Sequence, residues 1–462
     1  MLNYYYYSLT QFILHSLKFT KTYPPNKRTH ILIADLQKIY CFKKMTLSQV
    51  FKSRLLSNIW NQFLLYGFSS IIPILLIPYL LNVIGVEKYG LVNFAIIFSF
   101  YFQIFNEFGF DLSNVRHVVN NRDNQEKLGR IVSSILQCKF FLILCSLFVY
   151  ILVVGLIPSL RNELTLYILA FIRLIGVVIA PYWLFRSMED IKYITRISVP
   201  IKLLCILPIF LIVKSTDDYA LVMLCYALET FVSGIVALFI AQKRYGIKLQ
   251  IVSAQEVKFY LKDSIPFFSS TFLMRAYKTM NTLVLGFILG DFAVGLYTAA
   301  EKLHNAYSSF VSPLLSQIFY PYFTRIKNMG RATKMVLLLC IANTIALACI
   351  YFLSPYLIPI FIKTETASIT TYFNLFLLLL AISVPADMFG FPYLGVLGKI
   401  NEVNMTTIYS AIIYIIVVLV LILTHSISIG SVIWALIIAN VGCLVLRLYL
   451  ANKVRVGNVD KQ

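Results

Sequence analysis

The stretch that decides the fold is residues 131–157, IVSSILQCKFFLILCSLFVYILVVGLI, in which Lys139 is the one charged residue. About 20 apolar residues in an α-helix cross the hydrocarbon core of a bilayer. Runs of this kind recur along nearly the whole chain. Of its 462 residues, 59% are hydrophobic and 13% are charged, against roughly 25% charged residues in an ordinary soluble protein. The sequence therefore predicts an all-α, polytopic membrane protein.

Apolar windows predict about twelve transmembrane helices. Their approximate bounds are 60–84, 91–113, 131–157, 164–186, 193–213, 219–241, 265–289, 292–323, 335–362, 368–392, 403–424 and 427–450.

Basic residues in the connections predict the orientation. One set of alternate connections holds 17 Lys and Arg residues and the other set holds 4. Because cytoplasmic loops carry an excess of Lys and Arg, the first set and both chain termini are predicted to be cytoplasmic. The same rule accounts for the net charge of +20, so nucleic acid is not an expected partner.

The longest polar connection divides the chain into two lobes of six helices. The predicted parts are an N-terminal lobe (45–242), a cytoplasmic linker (243–264), a C-terminal lobe (265–452) and a cytoplasmic tail (453–462). A local repeat supports the division, because Gly85-x4-Gly90-Leu91 matches Gly290-x4-Gly295-Leu296 at an offset of 205 residues. Two parallel repeats of this kind occur in alternating-access transporters.

The first 44 residues do not fit this pattern. Residues 1–44 contain a tyrosine run and a basic, proline-containing stretch, without the layout of a signal peptide. A basic lead-in to the first span follows Met45, so we expect translation to start there. The cysteines and histidines are scattered, and no disulfide, metal site or catalytic residue is predicted from them.

Charged residues inside the predicted spans are the candidate functional residues. A charge in the hydrocarbon costs about 3 kcal/mol on insertion scales, so such residues usually face a bundle interior or a wet cavity. The candidate substrate-binding residues of a cationic cavity are Arg275, Lys278, Lys302, Arg173 and Arg116, and the candidate residues for ion coupling or charge pairing are Glu301, Asp387 and Glu229.

An alternative interpretation is structural. Glu301 or Asp387 would then neutralise Arg275 or Lys278 within the bundle. For Lys202 and Lys139, packing or snorkelling to the interface is favoured over a cavity role.

Several stretches resemble one known family. They are Pro78-Tyr79-Leu80, Phe108-Gly109-Phe110-x-Leu112-Ser113 leading to Arg116, Trp183-x-Phe185, Gly295-Leu296-Tyr297-x-Ala299-Ala300-Glu301-Lys302, and Tyr320-Pro321. The sequence is similar to the polysaccharide (O-antigen, Wzx-type) flippases of the MATE-like multidrug/oligosaccharidyl-lipid/polysaccharide exporter superfamily. It departs from their pattern at Arg186-Ser187, where Gln-Gly is expected.

The resemblance implies a MATE-like carrier with twelve helices in two lobes. Such a carrier moves undecaprenyl-diphosphate-linked repeat units across the bacterial inner membrane, through a cationic cavity, with coupling to a proton or sodium gradient and no cofactor. Its implied partners are the lipid-linked glycan, the bilayer, and the polymerase and chain-length proteins of the pathway. Of the candidate residues, Arg116, Glu301 and Lys302 lie in matching motifs.

Three rival functions remain open at this point. A multidrug or cation exporter of the same superfamily predicts an acidic cavity. A polymerase or glycosyltransferase predicts long outer loops with catalytic residues, whereas the predicted outer loops are short and hold one acidic pair, Asp217-Asp218. A membrane scaffold predicts tolerance of a neutral replacement at Lys302.

Overall fold

The computed structural model of the protein describes Ile72 and residues 74–325 and 329–459. All regular structure in these ranges is helical, and none of their residues lies in a strand. The N-terminal extension 1–44 and the translation start predicted at Met45 lie outside the described residues. Most of the first predicted span lies outside them too.

The first half of the described chain contains ten α-helices and a 3-10 turn at Thr216–Asp218. The helices are α1 (Ile74–Val83), α2 (Gly85–Glu107), α3 (Phe110–Asn120), α4 (Gln125–Leu156), α5 (Pro158–Arg161), α6 (Leu164–Ile179), α7 (Tyr182–Ser187), α8 (Ile191–Ile206), α9 (Ile209–Ile212) and α10 (Tyr219–Tyr245). We call this part the N-terminal half.

The C-terminal half contains seven α-helices and two π-helical turns. The helices are α11 (Ala254–Leu289), α12 (Asp291–Pro313), α13 (Tyr320–Arg325), α14 (Met329–Phe361), α15 (Thr366–Met388), α16 (Ile400–Leu423) and α17 (Ile429–Val459), and the π-helical turns are Leu314–Phe319 and Phe389–Gly395.

These helices form a multi-pass membrane fold. Within the described ranges, nine helical segments are long and apolar enough to cross a membrane, and Ile74–Val83 and Thr279–Leu289 are shorter apolar helices. These segments overlap the predicted spans, of which only 292–323 has no counterpart among them, and they confirm the prediction of an all-α, polytopic membrane protein. We call the end of the bundle with the 17 basic loop residues the basic end and the other the outer end.

The connection between the halves is shorter than the predicted linker 243–264. Helix α10 runs to Tyr245 and ends at Gly246, whose φ of +64° is the left-handed conformation that glycine adopts readily. Helix α11 begins after Ser253, whose side chain accepts a hydrogen bond from the Glu256 amide, as an N-cap residue does. Only residues 246–253 therefore lack helical structure.

A bend between α2 and α3 brings the two halves together near the basic end. Phe108 and Gly109 have φ values of +44° and +71°, which end α2 and redirect the chain into α3. A Cβ atom on Gly109 would lie 2.6 Å from the backbone nitrogen of Phe268 on α11. Glycine at this position therefore provides both the backbone angle and the close approach of α2 to α11.

Helix α12 lies in the centre of the described bundle. It packs against α2 on one side and against α15 and α11 of its own half. Thr298 is buried and Lys302 contacts α2, whereas Asn305 is exposed, so part of the polar face of α12 packs against other helices, as the sequence predicts for a helix that cannot face lipid all round. The two glycine repeats lie where the outer ends of α2 and α12 meet.

Candidate functional site

Five charged side chains lie at one level of the bundle. We call them the midplane cluster, and they are Arg173 on α6, Lys202 on α8, Glu229 on α10, and Glu301 and Lys302 on α12. Each lies about 9 to 11 residues from the outer end of its span, which at 1.5 Å per residue is about 14–17 Å. Because the hydrocarbon core is about 30 Å thick, this level is close to its middle.

Glycines bring the two helices that carry Arg173 and Glu229 into backbone contact. A Cβ atom on Gly176 of α6 would lie 2.4 Å from the Phe231 nitrogen of α10, and one on Gly234 would lie 2.3 Å from the Gly176 carbonyl oxygen. The Thr230 hydroxyl also donates a hydrogen bond to the Arg173 carbonyl at 3.0 Å. The positions of Arg173 and Glu229 relative to each other are therefore set by rigid packing.

Arg173 retains an unused hydrogen-bond donor. Its Nη1 atom is buried and has no hydrogen-bond partner among the described residues. The Glu229 carboxylate attracts both Arg173 and Lys202, but none of the direct ion pairs in the described part of the chain involves these three residues. A buried guanidinium with a free donor can bind an anionic ligand.

Lys302 joins the two halves. Its ammonium donates a hydrogen bond to Oδ1 of Asn93 on α2 at 2.6 Å and lies 5.1 Å from the centroid of the Tyr89 ring. Lys302 and Arg173 are close enough to repel each other electrostatically. The two cations therefore approach each other from opposite halves.

Glu301 is held by a hydrogen-bond network within the C-terminal half. It accepts a hydrogen bond from the Tyr297 hydroxyl at 3.2 Å, and that hydroxyl accepts one from Asn281 Nδ2 at 2.9 Å. Asn281 in turn accepts a hydrogen bond from Tyr414 on α16. The midplane cluster thus contains three cations and two carboxylates, a net formal charge of +1.

The other candidate cations lie nearer the basic end. Arg275 forms an ion pair with Glu107, the last residue of α2. Arg116 on α3 is largely exposed and lies 3.7 Å from Asp263, which is also 2.9 Å from His117. Both arginines therefore face carboxylates of the opposite half.

Asp387 and Lys278 complete the predicted set. Asp387 lies 3.4 Å from Arg447 on α17, whose guanidinium also donates to the carbonyl of Ala386. Lys278 lies on α11, one turn from Arg275, and its side chain is outside the described residues. The structural interpretation of the sequence expected Glu301 or Asp387 to pair with Arg275 or Lys278. The observed partner of Arg275 is Glu107.

Sequence reasoning missed several of these partners. Glu107 and Arg447 both fall inside predicted spans, so the argument that singled out the other intramembrane charges could have found them. Asn93 and Tyr89 carry no charge, and their contacts with Lys302 bridge more than 200 residues of sequence. No local signal in the sequence indicates such a contact.

The family model described as polysaccharide biosynthesis protein matches residues 55–327. The chain belongs to this family. The matched range contains helices α1–α13 and all five residues of the midplane cluster.

Two relatives are named as candidate O-antigen transporters. One, from Escherichia coli (strain K12), is 29% identical over 273 residues, which are 59% of this chain and 65% of that protein. The other, from Shigella dysenteriae, is 24% identical over 337 residues, which are 71% of this chain and 83% of that protein. The chain therefore spans less than two thirds of the length of the E. coli relative.

Two solved transporter structures share the fold of this chain. An inward-facing multidrug resistance MATE family transporter of the MOP superfamily matches with a TM-score of 0.59 and 15% identity, over 85% of this chain and 96% of that one. The lipid II flippase MurJ, in an inward closed conformation, matches with a TM-score of 0.60 and 15% identity, over 85% and 87% of the two chains.

These matches confirm the predicted MATE-like membrane fold. At 15% identity the structural likeness concerns the fold alone. The relatives are named as O-antigen transporters, and the two structural neighbours are a multidrug transporter and a flippase.

Proposed function

We propose that the protein flips undecaprenyl-diphosphate-linked oligosaccharide repeat units across the bacterial cytoplasmic membrane, for O-antigen or another surface polysaccharide. The observation that carries the proposal is the midplane cluster, in which cations of both halves outnumber the carboxylates and Arg173 has a free, buried donor. An anionic diphosphate would satisfy that donor and balance the positive charge.

In this proposal the two halves rock about the midplane cluster. Arg173, Lys202 and Lys302 bind the diphosphate, while the lipid tail stays in the bilayer and no covalent bond of the cargo changes. The close contact between α2 and α12 at the outer end supports a state that is closed outward and loads from the basic end. The basic end then faces the cytoplasm, with both chain termini on that side.

The two carboxylates of the cluster suit coupling to a proton or sodium gradient. Glu229 attracts Arg173 and Lys202, and Glu301 interacts with Lys302. When an anionic cargo binds these cationic side chains, each carboxylate loses its counter-charge. Its affinity for a proton or a metal cation then increases. The pathway's polymerase and chain-length proteins would receive the cargo on the other side.

The main rival is export of cationic drugs through the same fold. A cationic drug would need a cavity with surplus negative charge, because like charges in a low-dielectric interior repel strongly. The net charge of +1 in the midplane cluster favours the anionic cargo.

The experiment that tests the proposal deletes the protein in its native strain and restores it from a plasmid. We expect deletion to abolish surface polysaccharide and to trap lipid-linked repeat units in the inner leaflet. Restoration with Arg173→Gln should fail at normal protein levels, whereas restoration with Arg130→Gln, which alters an exposed arginine, should succeed. Normal surface polysaccharide in the deletion strain, with no second flippase present, would refute the proposal.

A further inference from the structure

A polar cavity lies between the two halves, nearer the basic end than the midplane cluster. It has a volume of ≈ 410 Å³ and is bordered by the bend between α2 and α3, by α7 and by α11. Cavities of this size fall within the range of small-molecule sites. We call it the basic-end pocket, and its polar lining residues are Glu107, Asp111, Arg186, Ser187, Thr271 and Arg275.

The charges of the basic-end pocket are balanced within it. Arg275 forms an ion pair with Glu107, and Arg186 lies 3.7 Å from Asp111. Among the described residues that line the pocket, two guanidinium groups and two carboxylates give a net charge of zero, in contrast to the surplus positive charge of the midplane cluster. The buried Lys139 ammonium also attracts Glu107 and Asp111 but does not line the pocket. A ligand without charge therefore fits this pocket better than a diphosphate does.

The chemistry of the lining suits hydroxyl groups. A sugar hydroxyl both donates and accepts hydrogen bonds, so it can bridge a carboxylate and a guanidinium that already face each other. Charge-assisted hydrogen bonds of this kind are stronger than neutral ones. Leu112 and Val115, 57% and 37% exposed, border the same pocket and offer apolar surface for the C–H face of a sugar ring.

The position of the pocket matches the order of groups in a lipid-linked glycan. Arg275 is 14 residues from the outer end of α11, which corresponds to about 21 Å along the helix, and its partner Glu107 is the last residue of α2, at the end of that helix nearer the basic end. The midplane cluster, at about 14–17 Å, is therefore the deeper site. A cargo that loads from the basic end, with its diphosphate in the cluster, would leave its sugars on the side from which it entered.

We propose that the basic-end pocket binds a neutral sugar residue of the cargo. This inference rests on the proposed function, because it takes the cargo to be a diphosphate-linked glycan. The pocket then contributes to the choice among glycans, while the midplane cluster binds the diphosphate common to all of them.

The test measures two kinds of binding to the purified full-length protein in detergent. Ligand-observed nuclear magnetic resonance follows neutral methyl hexosides, methyl glucuronide and, by its phosphorus signal, inorganic pyrophosphate. We expect Arg186→Gln and Asp111→Asn to weaken methyl hexoside binding by about tenfold, because each removes one partner of a charge-assisted hydrogen bond. Both variants should bind pyrophosphate as the unmodified protein does, which also shows that they are folded.

Two controls separate this inference from the proposed function. Arg173→Gln should weaken pyrophosphate binding and leave methyl hexoside binding unchanged. Arg130→Gln, which alters an arginine paired with Glu256 away from the pocket, should change neither. If the proposed function is wrong, the deletion strain will make normal surface polysaccharide, whether or not the purified protein binds methyl hexosides.

Three results would overturn the inference. The first is that the unmodified protein does not bind methyl hexosides. The second is that the two pocket variants bind hexosides as well as the unmodified protein does. The third is that methyl glucuronide binds more tightly than the neutral hexosides. The last result would mean that the pocket selects an acidic sugar.

Discussion

Gly90 and Gly295 face each other across the contact between α2 and α12, and neither position has room for a side chain. A Cβ atom on Gly90 would lie 2.6 Å from the Gly295 nitrogen and 1.8 Å from the Asp291 carbonyl oxygen, and one on Gly295 would lie 2.1 Å from the Val86 carbonyl oxygen. Val86 and Asp291 are separated by the same 205 residues as the two glycines. The contact is therefore reciprocal, as a two-fold relationship between the repeats requires.

The first prediction concerns this contact. Gly90→Ala should force the outer ends of α2 and α12 apart, because the methyl group overlaps backbone atoms that cannot rotate away. Overpacking costs about 1–3 kcal/mol, which shifts the balance toward an outward-open state by about fivefold or more. The measurement is labelling of an introduced Val294→Cys by a membrane-impermeant maleimide in intact cells, together with glycan export.

The control for this prediction is Gly155→Ala in α4. A Cβ atom on Gly155 meets nothing within 4 Å, so this variant should label and export as the unmodified protein does. Equal labelling of Gly90→Ala and Gly155→Ala would show that the glycine contact does not close the outer end.

The second prediction separates a functional from a structural role of Lys302. Lys302→Met removes the hydrogen bond to Asn93 and one positive charge of the midplane cluster. A hydrogen bond to a charged group contributes about 1.5–3 kcal/mol, so loss of an equivalent contact with the cargo should lower export about tenfold or more. Because the change also leaves Asn93 Oδ1 without its donor, the free energy of unfolding should fall by about 1–3 kcal/mol, so export is compared per folded molecule.

The comparison variant is Lys258→Met, at an exposed position of α11 near the basic end. It should preserve export. A lower melting temperature in Lys302→Met, with normal export per folded molecule, would assign Lys302 a structural role and would favour the scaffold interpretation.

The spans could be predicted because hydrophobicity is a local property. The run 131–157 needs no partner to be identified as membrane-spanning, but helix α4 begins earlier, at Gln125, because polar turns extend the helix beyond the bilayer. The helix α11 likewise starts at Ala254, within the predicted linker. Helix ends in water depend on caps such as Ser253, and hydropathy does not report them.

The candidate site could be predicted only in part. The cost of an intramembrane charge identified Arg173, Glu229, Glu301 and Lys302, which the structure places at one level. Their pairing depends on which helices pack together, and that is set by close glycine contacts such as Gly176 with Phe231. Such contacts join distant parts of the chain, so no spacing in the sequence reveals them.

The third prediction concerns the ion pair between Arg275 and Glu107. A double-mutant cycle of Glu107→Gln and Arg275→Gln should give a coupling free energy of about 0.5–1 kcal/mol, since Arg275 is 39% exposed and solvent screens the pair. The measurement is reversible unfolding in mixed detergent. Because the pair joins the two halves, the double variant should also expose the basic-end pocket to labelling reagents.

The pair formed by Lys399 and Glu402 supplies the reference for that cycle. It lies within a single helix turn at the basic end, with 2.8 Å between its atoms, and joins no separate helices. We expect a smaller coupling free energy there, because both side chains are exposed and solvent screens the pair. A coupling for Arg275 and Glu107 no larger than that of Lys399 and Glu402 would contradict the prediction.

The fourth prediction concerns Lys139, the one charge of the stretch that decides the fold. The side chain is 3% exposed and donates a hydrogen bond to the Val178 carbonyl at 3.0 Å. Helix α6 ends at Ile179, and Pro181 has no N–H to continue it, so its last carbonyls lack intrahelical partners. Lys139 thus caps the end of α6 with a cation, which also favours the helix dipole.

Replacement by methionine should destabilise the protein without a direct effect on transport. Lys139→Met leaves a buried carbonyl without a partner, and we expect a loss of about 1–3 kcal/mol in the free energy of unfolding. Lys214 offers a matched control, since it also donates to a helix-end carbonyl, that of Phe210, but from an exposed position. Lys214→Met should therefore change the free energy of unfolding little, and equal stabilities of the two variants would indicate that Lys139 does not cap α6.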